Sequence, residues 1–358
     1  MKALKFKFLI ITFLTVIFTS TNLFADELKK EIKEYNKEFA VIKGNTLEVK
    51  NYFGDVDVQN WNKDEISIYV KVTAEHKDAE KAKEMLELID IEFSDKGNIK
   101  SAETILKDKI KRIKSRGNGK KFSIDYTIKM PSYLNADLSN KFGDMFIDQI
   151  DGKADITVKF GTLKLNKLTR GNEKPLNSIN LAYAETEAEI KEVNWLNLHS
   201  RYSEAGIAKA QALVIDSKYS EISVDNANSI VSDAAYDEYD VDEVTNFVTE
   251  GAYSEIEIGK LIKKAEVIIK YGEFSVDYVA KDFNLIDVSA KYAEVELNID
   301  EEAGYTIHGV AKYGDISVPS GAKISKISEN MTKTVKGTIG SGKGKVKLKV
   351  GYGSIDVE

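Results

Sequence analysis

The residues that most often perform catalysis or bind metals are few in this sequence and are spaced too far apart to form a known motif. The 358 residues contain no cysteine and only three histidines, His76, His199 and His308. No two histidines have the H-x-x-x-H or H-E-x-x-H spacing of a zinc site, and no G-x-S-x-G nucleophile motif occurs. The absence of cysteine excludes disulfides and thiolate metal sites.

Carboxylates are plentiful, with 58 Asp and Glu residues, but they recur in similar surroundings along the chain. A general acid–base pair needs two carboxyls in contrasting environments. A row of acids could bind calcium through its oxygen atoms, although the neighbouring lysines would compete with the ion. The glycine-rich segment 340–344 precedes a strand with alternating lysines, so it predicts a turn and not a phosphate site. We therefore predict no catalytic, cofactor-binding or metal-binding residues.

The carboxylates belong to an internal repeat that is marked by an aromatic residue, here called the anchor. Nine intervals separate Phe142 from Tyr313, with a mean spacing of about 19. The interval from Tyr313 to Tyr352 is about twice as long and is interpreted as two repeats with one anchor missing. The twelve anchors are Phe53, Phe142, Phe160, Tyr183, Tyr202, Tyr219, Tyr236, Tyr253, Tyr271, Tyr292, Tyr313 and Tyr352.

The residues that follow each anchor alternate in polarity. The next residue is Gly, Ala or Ser in eleven of twelve repeats, with Asp237 as the exception, and the one after it is Asp or Glu in ten. Position five after the anchor is apolar in all twelve and position three in all but Thr186, whereas position four is mostly polar. This alternation, and a similar one before several anchors, predicts two short strands per repeat. In the segment before the anchor the inward residues lie at even offsets from it, whereas in the segment after the anchor they lie at odd offsets. One straight strand cannot do both, so we expect a corner at the small residue, where glycine tolerates a positive φ.

Such a unit is too short for a propeller blade, which needs about 40 residues. The sequence predicts an all-β fold, a β-solenoid with coils of about 19 residues, in which the anchor rings stack as a ladder and bury a large area. Stacked acids would repel one another, and a basic residue directly before the anchor would offset this repulsion in seven repeats. Those residues are Lys141, Lys159, Arg201, Lys218, Lys270, Lys291 and Lys312.

Residues 26–135 are predicted to form a small N-terminal α+β region before the repeat domain of residues 136–358. Asp78 is expected to cap a helix that runs to Ile89 and covers the open end of the stack, although a helix that grips a ligand is the alternative. Residues 107–121 contain eight Lys or Arg and one acid, and we interpret them as a solvated loop in preference to a patch for an anionic glycan. Pro131 is expected to end a strand.

The N-terminus has the order of a secretory signal peptide. Lys2, Lys5 and Lys7 precede an apolar run at residues 8–18, and we predict cleavage after Ala25; a buried N-terminal helix is the alternative. Without residues 1–25 the chain has 48 basic and 58 acidic residues, a net charge near −10, which argues against binding nucleic acid or anionic lipid. No later segment is long enough to span a membrane, and without cysteine the protein is not a lipoprotein.

Several segments, taken in order, resemble a known family. These are residues 53–58 (FGDVDV), Trp61, the helix start at 78–82, residues 126–131 (YTIKMP) and the recurring Tyr-Gly/Ser-Glu/Asp repeats. Over roughly residues 40–358 the chain resembles the putative-adhesin family of exported β-solenoid proteins of Bacteroidetes-type bacteria. The resemblance implies a right-handed β-helix-like fold and a cell-envelope location, and it supplies no catalytic residues.

These observations predict a non-enzymatic cell-envelope protein, in the periplasm or on the cell surface, that uses a repetitive face to bind an unidentified glycan or protein. A periplasmic structural or regulatory protein is the first alternative. A β-helix enzyme acting on polysaccharides is the second, although such chemistry needs an irregular cluster of acids and bases, and the repeats here are short and uniform.

Overall fold

The computed structural model describes residues 28–108, 121–184, 188–319 and 323–358, and within these ranges the chain forms 24 strands and one helix. The predicted signal peptide and residues 109–120 of the basic segment lie outside the described residues. The N-terminal elements are β1 (Lys29–Ala40), β2 (Thr46–Tyr52), β3 (Val56–Asn60), β4 (Glu65–His76), α1 (Ala79–Leu86), β5 (Ile89–Lys96), β6 (Ile99–Leu106) and β7 (Lys121–Met130). The central strands are β8 (Asn135–Lys141), β9 (Met145–Ile150), β10 (Ala154–Lys159), β11 (Leu163–Leu168), β12 (Asn177–Ala182), β13 (Ala188–Arg201), β14 (Glu204–Lys218), β15 (Glu221–Ala235), β16 (Glu238–Ala252), β17 (Glu255–Val279) and β18 (Leu285–Ile299). The C-terminal strands are β19 (Tyr305–Lys312), β20 (Asp315–Ser317), β21 (Lys323–Glu329), β22 (Thr332–Ile339), β23 (Gly344–Gly351) and β24 (Ser354–Val357).

Consecutive repeats lie side by side and pair as parallel strands. Between β14 and β15 the register runs from Glu204 opposite Glu221 to Lys218 opposite Ala235 with a constant offset. The first layer of this stack comes from the N-terminal part, because β2 pairs with β8 and β3 with β9, both in parallel. The result is a nearly all-β chain with one long sheet network.

The core is formed by the inward residues of every layer. In β15 the side chains of Ile222, Val224, Ala227 and Ile230 are buried, and they belong to one apolar cluster that extends from Phe39 to Val357. The period-two alternation therefore identifies the buried face correctly. Burying an aliphatic side chain of this size contributes about 1.5–3 kcal/mol, so the stack needs no disulfide.

The corner of each repeat lies at the anchor and not at the small residue after it, and the anchor ring points outward. All twelve anchors have a positive φ, between 51° and 65°, whereas the glycines that follow them do not. A residue in this left-handed conformation reverses the in-and-out alternation of the strand, so the aromatic ring turns outward. The expectation that the rings are packed inside was wrong, because the parity of the preceding strand does not continue through the anchor.

The residue after the anchor is small because of a close approach between layers. A Cβ atom built at Gly143 would lie 2.1 Å from the carbonyl oxygen of Gly54, and one at Gly161 would lie 2.0 Å from that of Gly143. Glycine is therefore required at these two positions by space and not by φ.

Two sequence assignments are corrected by the strand register. Ala188 pairs with Ala205 and Ile190 with Ile207, so the third and fifth positions of the Tyr183 repeat are Ala188 and Ile190. The exception at Thr186 arises because this repeat is two residues longer between the anchor and the following strand, an insertion that hides the alignment in the sequence.

The C-terminal repeat is out of sequence order. β23 pairs in parallel with both β18 and β19, and β24 pairs with both β18 and β20. The last strands thus lie between two layers that precede them in the chain. The intervening residues form the antiparallel pair β21–β22, which pairs with the outer edge of β19. The interpretation of the interval from Tyr313 to Tyr352 as two consecutive repeats was therefore wrong.

The N-terminal end of the stack is closed by antiparallel strands and by the helix. β4 pairs with β7 and β1 with β4, both antiparallel, and α1 packs against β4 and β1. Asp78 caps α1 as predicted and accepts a hydrogen bond from the Glu80 backbone N–H, but the helix ends at Leu86, and Ile89 begins β5. β7 ends at Met130, directly before Pro131, as predicted.

Candidate functional site: the aromatic column

The anchor conformation is held by hydrogen bonds between layers. The Tyr202 backbone N–H donates to the Lys218 carbonyl at 3.1 Å, and the Tyr236 N–H donates to the Ala252 carbonyl at 2.9 Å. Each of these anchors thus bonds to the residue before the next anchor, which satisfies a donor that the turn removes from the regular ladder. A left-handed conformation costs a bulky residue about 1–2 kcal/mol, so twelve of them form only where neighbouring layers impose the same turn.

The outward rings form one continuous column. Successive ring centroids are 4.8–5.1 Å apart with interplanar angles of 1–18°. Eleven of the rings are 38–50% exposed, from Phe142 at the lower limit to Tyr202 and Tyr253 at the upper. Because both faces of each ring within the column are covered by its neighbours, the ring edges and the tyrosine hydroxyls are what the column mainly presents to solvent. We call this set of twelve side chains the aromatic column.

The spatial order of the column reflects the exchange of layers at the C-terminus. Tyr292 stacks on Tyr352 at 4.9 Å, and Tyr352 stacks on Tyr313 at 4.9 Å. At the other end Phe53 meets the Phe122 ring edge to face, with centroids 5.2 Å apart. The ladder of stacked rings that the sequence predicted is therefore confirmed, although it lies on the surface.

The acids beside the column have two different roles. At the phenylalanine end, Asp55 accepts a hydrogen bond from the Asp144 backbone N–H at 2.9 Å, and Asp144 accepts one from the Thr162 N–H at 2.8 Å. Burial is the main cause that raises the pKa of Asp55; the hydrogen bond from the Asp144 N–H opposes this, and the carboxylates of Asp144 and Asp125 add to the increase. These carboxylates stabilise the corner.

At the tyrosine end the side chain of the residue directly after the anchor accepts the hydrogen bond that stabilises the corner. Ser220 Oγ accepts from the Ser203 N–H at 3.4 Å, Asp237 Oδ1 from the Ser220 N–H at 2.8 Å, and Ser254 Oγ from the Asp237 N–H at 3.2 Å. The glutamates one position further on, such as Glu221 and Glu255, are exposed. Serine at the corner thus leaves the glutamate side chains in solvent.

A groove of about 690 Å³ runs between the tyrosines and these glutamates. Its lining is Tyr253, Tyr271, Tyr292 and Tyr352 on one side, Glu255, Glu273 and Glu294 on the other, and Ser254, Gly272, Ala293 and Gly353 along the floor. The strand beyond the glutamates is also acidic. The pKa of Glu257 is raised, first by the charge of Asp277 and then by partial loss of hydration. The carboxylates of Asp240, Glu255 and Glu273 add to this increase.

The basic residues before the anchors lie on the other side of the rings. The ammonium groups of Lys141, Lys218 and Lys291 lie 5.0, 5.2 and 5.4 Å from the centroids of the rings that follow them. Among the ion pairs of the described residues, none joins a base directly before an anchor to an acid two places after one; Arg201 pairs with Asp216 at 2.7 Å. The bases before the anchors thus form no direct ion pair with these acids, and the expected offset of the repulsion among the acids stays a prediction.

The three histidines are not brought together. His199 lies 3.4 Å from Asp216 on the outer side of β13, His76 accepts a hydrogen bond from the Asp78 N–H, and His308 lies on β19. In the described parts of the chain no group of three or more His, Asp or Glu side chains is arranged to hold a metal ion. The described helix, α1, is neither long nor apolar enough to cross a bilayer.

The glycine-rich segment forms the predicted turn. Gly340 and Gly342 have φ values of 53° and 68° between β22 and β23, and the Gly342 N–H donates to the Ile339 carbonyl at 3.2 Å.

Comparison with solved structures finds low similarity in sequence and in superposition. A putative cell adhesion protein from Clostridium sporogenes is 10% identical, with 92% of this chain and 99% of that chain covered and a TM-score of 0.17. A putative lipid binding protein from Parabacteroides distasonis is 12% identical, with 91% and 96% covered and a TM-score of 0.34. A putative adhesin from Parabacteroides distasonis is 10% identical, with 91% and 97% covered and a TM-score of 0.33. No family model matches the chain, and no curated protein is found to be similar to it.

Proposed function

We propose that this chain is a non-catalytic, exported binding scaffold, an adhesin-like β-solenoid that engages an elongated glycan or protein along the groove beside the aromatic column. In this proposal residues 1–25 are a signal peptide, residues 26–135 form the N-terminal region with its capping helix, and residues 136–358 form the repeat domain. The solenoid is right-handed, as the family resemblance implies.

The observation that carries the proposal is the regular exposure of tyrosine. Nine tyrosines present ring edges and hydroxyls to solvent at intervals of about 4.9 Å, next to a row of exposed glutamates. Tyrosine offers large contact area with little loss of side-chain entropy, and its hydroxyl both donates and accepts hydrogen bonds. A straight row of such groups suits a ligand that is itself extended and repetitive.

The chemistry of the groove sets limits on that ligand. The inner ring faces are covered, so a sugar cannot stack on them, and contact must be made through hydroxyls and carboxylates. The groove side carries Glu255, Glu273 and Glu294 without a basic residue in its lining. A ligand rich in hydroxyls, or one carrying positive charge, is therefore favoured over a polyanion.

The location is tested by protease digestion of intact cells that produce the protein, with lysed cells as the control. Digestion on intact cells places the protein outside and supports an adhesin. Protection until lysis contradicts surface adhesion and favours the alternative of a periplasmic structural or regulatory protein.

The groove is tested by binding of the purified mature chain to cell surfaces and to arrayed glycans. We expect the triple variant Glu255→Gln, Glu273→Gln and Glu294→Gln to bind at least tenfold more weakly than the wild type. The matched control, Asp233→Asn, Glu250→Gln and Asp282→Asn, removes the same charge from exposed positions outside the groove and is expected to bind normally. Equal loss in both triple variants would show that net charge matters and that the groove does not.

A further inference from the structure

One outward position in the repeat carries a residue type that the other repeats avoid. This position lies between the two inward residues of the strand after the anchor and faces solvent. In the described repeats its occupants are Asp57, Phe146, Lys164, Glu189, Gly206, Ser223, Asp240, Glu257, Ser275, Glu296, Asp356 and Ser317. Phe146 is the one large apolar side chain in this set. The repeat shows that the fold does not require an aromatic residue at this position.

Phe146 lies in a groove of about 290 Å³ on the outer face of β3, β9 and β11. Its neighbours across the strands are Asp57 on one side and Lys164 on the other. The side chain is partly exposed. Among the described residues no aromatic ring stacks on the Phe146 ring and no cation lies over it, in contrast to the rings of the aromatic column.

The polar groups around Phe146 are held in place by one another. Gln59 Nε2 donates to Asp57 Oδ2 at 2.7 Å, and Asn166 Nδ2 donates to Asp148 Oδ1 at 3.2 Å. Each amide keeps its oxygen and a second N–H, and each carboxylate keeps its other oxygen. Such pairing favours one orientation of these exposed side chains before a ligand arrives, which lowers the entropic cost of binding.

The charges of the groove nearly cancel. Its lining holds three acids, Asp57, Asp148 and Glu189, and two lysines, Lys164 and Lys191. Lys164 is already paired with Glu189 at 3.0 Å. The groove therefore offers many hydrogen-bond donors and acceptors with little net charge, which does not favour an ionic ligand.

We propose that this groove binds a neutral sugar ring of a glycan, with the C–H face of the sugar stacked on Phe146 and its hydroxyls bonded to Gln59, Asp57, Asn166 and Asp148. An aromatic face carries partial negative charge that attracts polarised C–H groups. Vicinal hydroxyls match the amide and carboxylate side chains, which supply donors and acceptors together. This site is separate from the groove beside the aromatic column and does not depend on its function.

The test uses the mature chain and a panel of neutral oligosaccharides of glucose, mannose, xylose and N-acetylglucosamine, with sulfated and uronic-acid oligosaccharides as the anionic comparison. Binding is measured by saturation-transfer NMR and calorimetry. We expect a neutral oligosaccharide to bind, and Phe146→Thr to weaken that binding about tenfold, because the stacked ring is lost. Phe146→Trp is expected to restore it to within about threefold of the wild type.

The matched control is Tyr278→Thr, which removes a half-exposed aromatic from β17 outside the groove and is expected to leave binding unchanged. Circular dichroism confirms that each variant is folded. The proposal is overturned if no neutral oligosaccharide binds at millimolar concentration, if only the anionic ones bind, or if Phe146→Thr binds as the wild type does.

Discussion

At the residue scale, the feature that organises this protein is a bulky aromatic in a conformation that usually suits glycine. The anchors adopt positive φ values because the layers on both sides hold their backbone in the same turn. Stacking against two neighbours contributes about 0.5–1.5 kcal/mol per ring pair, which offsets the conformational cost. A single anchor in isolation would not adopt this conformation.

This balance predicts that glycine is a better replacement than alanine at an anchor, the reverse of the order at an ordinary strand position. Tyr236→Ala loses the ring and keeps the strain, whereas Tyr236→Gly loses the ring and relieves the strain. We expect both variants to be less stable than the wild type, and the glycine variant to be more stable than the alanine variant by about 1 kcal/mol. The measurement is the free energy of unfolding in urea.

Asp233, an exposed residue within β15, serves as the control for this order. In an ordinary strand position glycine is the worse residue, so Asp233→Gly should be less stable than Asp233→Ala. If alanine is also the better residue at position 236, the anchor conformation is not strained.

Asp237 is the exception among the small corner residues, and its contacts explain why it is tolerated. Its carboxylate accepts hydrogen bonds from the backbone N–H groups of Ser220 and Ala235, at 2.8 and 2.7 Å, and from the hydroxyl of Ser217 at 2.9 Å. Burial nevertheless raises the pKa of this carboxyl above its usual range, since the opposing hydrogen bonds compensate only in part.

A raised pKa in the folded state predicts how stability changes with pH. Below the pKa of the unfolded chain the carboxyl is protonated in both states and does not lower the stability of the fold. As the pH rises towards and through the pKa of the folded state, stability is lost, because ionising the buried carboxyl costs more than ionising it in the unfolded chain. We expect Asp237→Ser, which supplies the hydroxyl that Ser220 and Ser254 carry at the same corner, to gain stability relative to the wild type as the pH rises from about 4 to 7. Chemical denaturation of both proteins at several pH values measures this difference, and a difference that stays constant across this range would contradict the prediction.

At the element scale, the exchange of layers at the C-terminus closes the stack. The outward end of β19 is covered by β22 and then by β21, whose sequence carries lysines. The outer strands at the other end, β1 and β5, are likewise rich in charged residues. Charged edge strands oppose further strand addition and aggregation.

The inserted position of β23 and β24 predicts that the C-terminal segment 344–358 holds the layers of β18 and β19 together. Removing this segment leaves β18 and β19 without the partner that joins them, so the segment 300–340 should become sensitive to limited proteolysis. A synthetic peptide with the sequence of 344–358 should restore protection by occupying the gap between these layers. The control peptide replaces the buried Val346, Leu348 and Val350 by serine and should not protect. Unchanged proteolysis after truncation would contradict the role of this insertion.

At the scale of the whole molecule, the protein is a stack in which each layer contacts mainly its neighbours. The anchors Tyr202, Tyr219, Tyr236 and Tyr253 are evenly spaced along the chain. β14, β15 and β16 pair without a break in register. A layer in such a regular region is interchangeable with the next, because its stability is the sum of its own and its neighbours' contacts.

This regularity predicts that one layer can be removed. Deleting the whole repeat unit 220–236 joins Tyr219 to Asp237 and preserves the register, so we expect a folded protein with a modestly lower unfolding temperature. Deleting only 220–235 shifts the side chains by one place and turns the inward set outward. That variant should lose its cooperative unfolding transition. Circular dichroism and thermal unfolding distinguish the two, and equal behaviour would contradict the layered description.

The sequence by itself determined the all-β character of the repeats, the inward residues of their strands, the stacking of the anchors and the end of β7 directly before Pro131, because these follow from local alternation and from a repeated spacing. It did not show that the two short strands predicted for each repeat join into one continuous strand in β14 to β18. It missed Phe146, although the signal was present as an apolar residue at a position that is polar or small elsewhere. It also misjudged Tyr183 and its following residues, since an insertion of two residues cannot be recognised without the register of the next layer.

Only the tertiary structure decided which way the anchor rings point and where the C-terminal repeat lies. The outward direction of the rings depends on a positive φ that the hydrogen bonds of adjacent layers impose, and no single repeat encodes it. The position of β23 and β24 depends on which two layers leave their edges to be paired, and that is set by the folding of β21 and β22 over β19. Both outcomes are contacts between segments distant in the chain, which residue type and spacing do not specify.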